Sequence, residues 1–281
     1  MPVLLPAVAI MEAETAVAAN AMAKLLDVMS RLRDPEYGCP WDLQQDFKSI
    51  VTFTVEETYE LADAIEAENF EQIREELGDV LFQVVFYAQL ASEQNRFDFD
   101  DVVAGITSKL IRRHPHVFSN NSEAVTSEAE VKENWERFKQ SEREQKKQSA
   151  ILDDVPRALP ALSRAQKLQK RAARVGFDWL DAEGVWAKID EEVSELREAI
   201  VSQNDSHIEA ELGDVLIAVV NLARHLGVDA ESATRSANSR FENRFRVMEQ
   251  AALEEGSSLK DETLEQLEQR WQEAKAHLAA G

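Results

Sequence analysis

Five acids recur at one spacing in two places 135 residues apart. Glu56, Glu57 and Glu60 are followed by Glu76 and Asp79, and Glu191, Glu192 and Glu195 are followed by Glu211 and Asp214. In both copies sixteen positions separate the third acid from the fourth. Acidic composition explains one such cluster, but two in register imply a single structural unit used twice. The unit should be helical, because acids three or four positions apart are neighbours on one helix face.

Proline placement agrees with this. Prolines stand at 2, 6, 35, 40, 115, 156 and 160, leaving 41–114 and 161–281 free of them. Both runs are rich in Ala, Leu, Glu, Gln, Lys and Arg, the strong helix formers. The pattern predicts an all-α protein of two tandem helical modules. Helices are expected over residues 21–33, about 47–67, 70–93 and 98–113, the last stopped at His114-Pro115. A charged helix is expected over 127–147. The second series follows over about 184–201, 207–226, 231–255 and 259–278, with Phe177-Asp178-Trp179 echoing Pro40-Trp41-Asp42. The predicted organisation is a tail over 1–20, a first module over 21–148 and a second over 149–281.

An antiparallel helical hairpin brings together residues equally far from its turn. About position 68, Glu60 pairs with Glu76 and Glu57 with Asp79. About position 203, Glu195 pairs with Glu211 and Glu192 with Asp214. Successive pairs lie ~4.5 Å apart along the axis at a rise of ~1.5 Å per residue. The result is a box of four carboxylates between two helices. Such acids repel one another unless a cation neutralises them, and all-oxygen ligands favour Mg²⁺ or Mn²⁺ over zinc. No His follows Glu76 or Glu211 at three positions, which counts against a ferritin-type di-iron centre. Gly78 and Gly213 precede the aspartates, implying close helix packing or ligand approach.

A formal net charge of −22 argues against general nucleic-acid binding, since phosphate backbones are repelled. Cys39 is the single cysteine, so no intramolecular disulfide forms and the cytoplasm is the expected compartment. No run approaches the ~20 apolar residues of a membrane span. The apolar opening MPVLLPAVAIM lacks a basic region and is read as a tail, with a secretory signal as the alternative.

Several stretches carry more than composition: DPEYGCPWD (34–42), EETYELADAI (56–65), EELGDVLFQVVFYAQ (75–89), RRHPHVF (112–118), VGFDW (175–179) and ELGDVLIAVVNLARHLG (211–227). They resemble the MazG family of nucleoside triphosphate pyrophosphohydrolases in its tandem two-domain form, and the resemblance covers nearly the whole chain. It implies an all-α, Mg²⁺-dependent homodimer that cleaves NTPs between the α- and β-phosphates to NMP and pyrophosphate. By the resemblance, Glu192, Glu195, Glu211 and Asp214 are the Mg²⁺ ligands of the second module, with Glu57, Glu60, Glu76 and Asp79 in the matching places of the first. It also puts Lys188, Arg240 and Arg244 on the phosphates, with Trp271 and Lys275 beside the nucleotide. The first module offers Lys109, Arg113, Trp135 and Lys139 at analogous places. Phe53 stands where Lys188 has its counterpart, so the second module is expected to be the main catalyst. Glu191 or one of the liganding acids would accept the proton of the attacking water. From another class, a dimeric nucleotide-binding adaptor without turnover is the alternative.

Overall fold

The computed structural model describes residues 21–118 and 155–280, with 127, 130, 131, 134, 138 and 150–153 between them. The chain divides into two compact units at residues 139 and 140. In the first, residues 21–32 form α1, followed by α2 (Pro40–Leu43), α3 (Val51–Glu66), α4 (Phe70–Glu93), α5 (Phe99–Arg113) and α6 (Pro115–Phe118). In the second, α7 (Ala161–Ala173), α8 (Ala182–Ser202), α9 (Asp205–His225), α10 (Ala230–Glu254) and α11 (Leu264–Ala280) follow in order. No strand occurs among the described residues, and the all-α expectation holds. The expected tail over 1–20 and most of the charged 127–147 segment lie outside them.

The first unit closes on Met29, Ile50, Val85, Phe86 and Leu90, with Phe47, Leu81 and Phe99 packed alongside. Arg33, at the end of α1, locks the following loop. Its guanidinium makes a bidentate pair with Glu93, at 2.7 Å from Nε and 2.6 Å from Nη2. Nη1 donates to the carbonyl of Asp42, and the group lies 5.4 Å from the Phe86 ring centre. Gly38 is needed in this loop because a Cβ there would stand 2.5 Å from the carbonyl oxygens of Leu32 and Asp34.

In the second unit, α8 and α9 enclose Val185, Ile189, Ala218 and Leu222. Helix α7, not anticipated as a separate element, packs on α9 and α10. Its Gln166 donates to the Val228 carbonyl at 2.7 Å and accepts from the Ala230 amide at 3.1 Å.

Two boundaries differ from the sequence reading, each through local side-chain bonding. Helix α3 begins at Val51 instead of near 47 because Asp46 accepts from the Lys48 and Ser49 amides, both at 2.8 Å, holding 46–49 as a turn. The expected 259–278 helix breaks after a 3₁₀ turn over Leu259–Asp261 and restarts at Leu264. There the Thr263 hydroxyl accepts from the Gln266 backbone amide at 3.3 Å, and the Gln266 side-chain Oε1 accepts from the Thr263 backbone amide at 2.9 Å, a reciprocal cap.

Candidate metal centre

Each hairpin turns on a left-handed residue, Glu68 at φ 53° and Gln203 at φ 54°. The next residue is Asn in both, and each side chain caps the second helix by accepting from an amide three positions on, Asn69 from Gln72 and Asn204 from His207, both at 3.3 Å. The turns therefore sit where the level-pairing argument centred them, and they set the register of the acids.

That register brings Glu57, Glu76 and Asp79 together, and equally Glu192, Glu211 and Asp214, with one oxygen of each within 4.8 Å of the others. An octahedral Mg²⁺ with bonds of ~2.1 Å holds its oxygens within ~4.2 Å, so small side-chain rotations suffice to seat the ion. The donor set is all oxygen, which fits a hard divalent cation. Glu60 and Glu195 lie outside these triplets on the exposed side of their helices.

The charges feel one another. Burial raises the Glu57 carboxyl above its ordinary value, and Asp79, Glu60 and Glu76 push it further. Glu76 is raised by desolvation, then by Glu60 and Asp79. Glu195 is raised by desolvation, then by Glu192 and Glu211. The fourth acid of each copy thus shares its box's field without joining the triplet.

The surroundings of the two boxes differ. Glu192 is buried, and Lys188 bonds it at 2.7 Å and Glu191 at 2.8 Å. These bonds, that to Glu191 first, hold the Lys188 ammonium well above its ordinary pKa. At the Lys188 position the first unit has Phe53, which meets Trp41 edge-on at 5.6 Å. His207 Nε2 stands 3.0 Å from Glu211 Oε1, whereas the first unit has Gln72 at that place.

A cavity of about 180 Å³ opens beside the second box, lined by Lys188, Glu192 and Asp214 together with Asp178, Trp179 and Asn221. Asp178 accepts from Arg224 and, at 3.0 Å, from His225. Burial alone would raise the Asp178 carboxyl, but these two bonds outweigh it and hold the group below the ordinary carboxylate range.

The basic and aromatic candidates lie elsewhere in the unit. Arg244 sits 5.5 Å over the Trp271 ring, and Phe241 lies 5.1 Å from it on the same pair of helices, α10 and α11. Arg240 and Lys275 are exposed, and none of these four lines the cavity. In the first unit Lys109 is exposed and Arg113 ends α5, while Trp135 and Lys139 fall outside the described residues. Of the two reasons offered for Gly78 and Gly213, close helix packing is not found: a Cβ at either would meet no atom of another element within 4 Å. Sequence reasoning missed His207 and the Asp178–Arg224–His225 group. For His207 the available signal was its i, i+4 spacing to Glu211.

The family model for the MazG nucleotide pyrophosphohydrolase domain matches residues 45–118 and again 181–247, one match over each hairpin. The chain belongs to the MazG family. It is 52% identical over 260 residues to the nucleoside triphosphate pyrophosphohydrolase of Escherichia coli (strain K12), covering 91% of this chain and 97% of the relative. A nucleoside triphosphate pyrophosphohydrolase/pyrophosphatase MazG from Thermotoga maritima is 44% identical over 252 residues, covering 90% and 94%. The nucleoside triphosphate pyrophosphohydrolase of Mycobacterium tuberculosis is 35% identical over 186 residues, covering 63% and 55%. Both MazG matches contain a complete acid motif, so the tandem form is present in this chain.

Proposed function

We propose that this chain is a Mg²⁺-dependent nucleoside triphosphate pyrophosphohydrolase that cleaves NTPs, and dNTPs with them, between the α- and β-phosphates, with Mn²⁺ able to replace Mg²⁺. Its working limits are residues 21–148 and 149–281, and the second module carries the main activity. The observation behind this choice is the second triplet with a lysine beside it: Lys188 lies 2.7 Å from Glu192 at a place where the first box has Phe53. The names of relatives matching nine-tenths of the chain support the reaction class.

Glu192, Glu211 and Asp214 would hold the ion, with Glu195 next to them. When bound, the ion neutralises phosphate charge and lowers the pKa of an attacking water. With Glu192 engaged there, the Lys188 ammonium turns to the phosphates and offsets charge on the departing pyrophosphate. Glu191, exposed and 2.8 Å from Lys188, accepts the proton of water as the new P–O bond forms and the α–β bridge breaks. Water is consumed and NMP and pyrophosphate leave. Arg240 and Arg244 add donors to the polyphosphate, while Trp271 and Lys275 line its approach.

A homodimer is supported by α9, where Leu212, Leu216, Ile217 and Val219 are each about half exposed. No helix among the described residues is long and apolar enough to cross a membrane. The acidic charge argues against nucleic-acid binding, and the single cysteine, Cys39, supports a cytoplasmic setting. The test measures pyrophosphate released from a mixed NTP pool with Mg²⁺ by the wild type and by Glu192→Ala. Equal release from the two proteins would rule out the second box as the main catalyst.

A further inference from the structure

In the second box both glutamates of the converging triplet are held from the same relative position. Lys188, four residues before Glu192, bonds it at 2.7 Å, and His207, four residues before Glu211, places Nε2 3.0 Å from Glu211 Oε1. Four residues make about one helical turn, so each partner lies beside its acid on one helix face. The first box has the acids without these partners. Phe53 stands in the place of Lys188 and meets Trp41 edge-on, and Gln72 stands in the place of His207. Gln72 is engaged elsewhere: its Oε1 accepts from Asn69 Nδ2 at 2.8 Å, at the hairpin turn.

A His–Glu pair at this spacing is ordinarily a weak surface contact. Two features set this one apart. The Glu211 side chain is only 14% exposed although that of His207 is 52% exposed, so the bond fixes a recessed carboxylate. Glu211 is also one of the three acids whose oxygens converge within 4.8 Å, and His207 stands outside that group. A neutral imidazole with its proton on Nε2 can donate this bond. With Oε1 so engaged, the carboxylate is oriented and Oε2 is left for a cation. Metal-binding carboxylates are commonly held by an outer hydrogen bond of this kind, and losing one typically lowers metal affinity about 10–100-fold.

We propose that His207 is a positioning residue of the second cation site, orienting Glu211 through Oε1 without binding the ion itself. The inference rests on the cation-binding part of the reading above and not on hydrolysis. It makes the second box the tighter of the two. An acid already held in place gives up less rotamer freedom when the ion is seated, and Glu76, with Gln72 turned to Asn69, has no such hold from that position.

The test uses Mn²⁺, whose free and bound forms differ in electron paramagnetic resonance, and the full chain carrying Glu57→Ala and Asp79→Ala, so that the second box is the one measured. His207→Ala should weaken Mn²⁺ binding about tenfold or more. Alanine is a strong helix former and His207 is exposed, so the metal-free melting midpoint should move by no more than about 2 °C. Unchanged affinity would overturn the role, and so would a rise, which would mean that the imidazole had been repelling the ion. A midpoint that falls while affinity holds would mark a merely structural contact and overturn it too. Pulsed resonance on the Mn²⁺-loaded protein should show no directly bound imidazole nitrogen. A strong nitrogen coupling that His207→Ala removes would make His207 a ligand and refute the positioning role. In the complementary arm, Glu192→Ala and Asp214→Ala disable the second box, and adding Gln72→His should tighten Mn²⁺ at the first. No gain there would overturn the claim that this bond separates the boxes. Absence of Mn²⁺ binding before His207 is changed would sink the cation reading and this inference with it, a result distinct from binding that His207→Ala leaves untouched.

Discussion

The two hairpins share their acids, their turn centres and their asparagine caps, and differ in what surrounds the acids. Around the first box stand Phe53, edge-on to Trp41, and a core filled by Phe86. Around the second stand Lys188 and His207, with a cavity lined by Lys188, Glu192, Asp214 and Asn221. Residues that create the carboxylate geometry are kept in both copies, while the lysine proposed to meet a triphosphate occurs in one. On the proposed function, the first hairpin keeps the acids that would hold a cation, and the second adds Lys188 beside them.

The strongest test of this contrast compares Glu192→Ala with Glu57→Ala. Pyrophosphate release should fall at least ~10³-fold in the first and stay within about threefold of wild type in the second. Comparable losses in both would end the division of labour. Next, Lys188→Phe converts the second site to the arrangement of the first and should lower kcat/KM roughly 10–100-fold. In the Glu192→Ala background, Phe53→Lys should raise residual release measurably, and no gain would show that the lysine is not the deciding difference.

Metal removal probes what the boxes share. Mg²⁺ at a hundredfold excess over Kd should stabilise the fold by about 2.7 kcal/mol per occupied site, read as a fall in melting midpoint on adding a chelator. Glu192→Ala should lose only part of that shift, since the first triplet remains. Loss of the whole shift would mean that the first box binds nothing.

Acid sensitivity separates the modules more gently. Bonding to Arg33 holds Glu93 below the ordinary carboxylate range, and the bonds from Arg224 and His225 do the same for Asp178. A lowered folded pKa gives stability that is present above the unfolded value and lost as pH falls through the folded one. Midpoints should therefore drop on acidification below about pH 4, and Arg33→Met should flatten the drop for the first module alone. An identical acid profile in the variant would show that the pair contributes little. The smallest effect concerns the turns: Glu68→Gly and Gln203→Gly each relieve a left-handed non-glycine residue, with an expected gain of about 0.5 kcal/mol by calorimetry.

Much of this architecture was legible because it depends on spacing. Acids three apart on each helix and sixteen apart across the turn admit one hairpin register, and proline-free runs of helix formers leave few alternatives to helix. Helix ends were less legible. Asp46 binding the amides of Lys48 and Ser49, and the reciprocal Thr263–Gln266 cap, are local competitions that periodicity does not register. The cavity escaped notice because Asn221 sits at the end of an apolar run and reads as its boundary. Setting Asn221 against Phe86 at the 135-residue offset would have exposed it.

The sequence by itself determined an all-α chain, its duplication and its family, and it singled out eight acids of which six converge in two triplets, because helical periodicity converts spacing directly into faces. Tertiary structure decided which three acids of each four converge and that Lys188 bridges Glu191 and Glu192. It also placed α7 and the Asp178–Trp179 loop against α9 to leave a cavity beside the second box. Those outcomes depend on contacts between elements far apart in the chain, and the physical reason is packing: which atoms touch is settled only when helices meet.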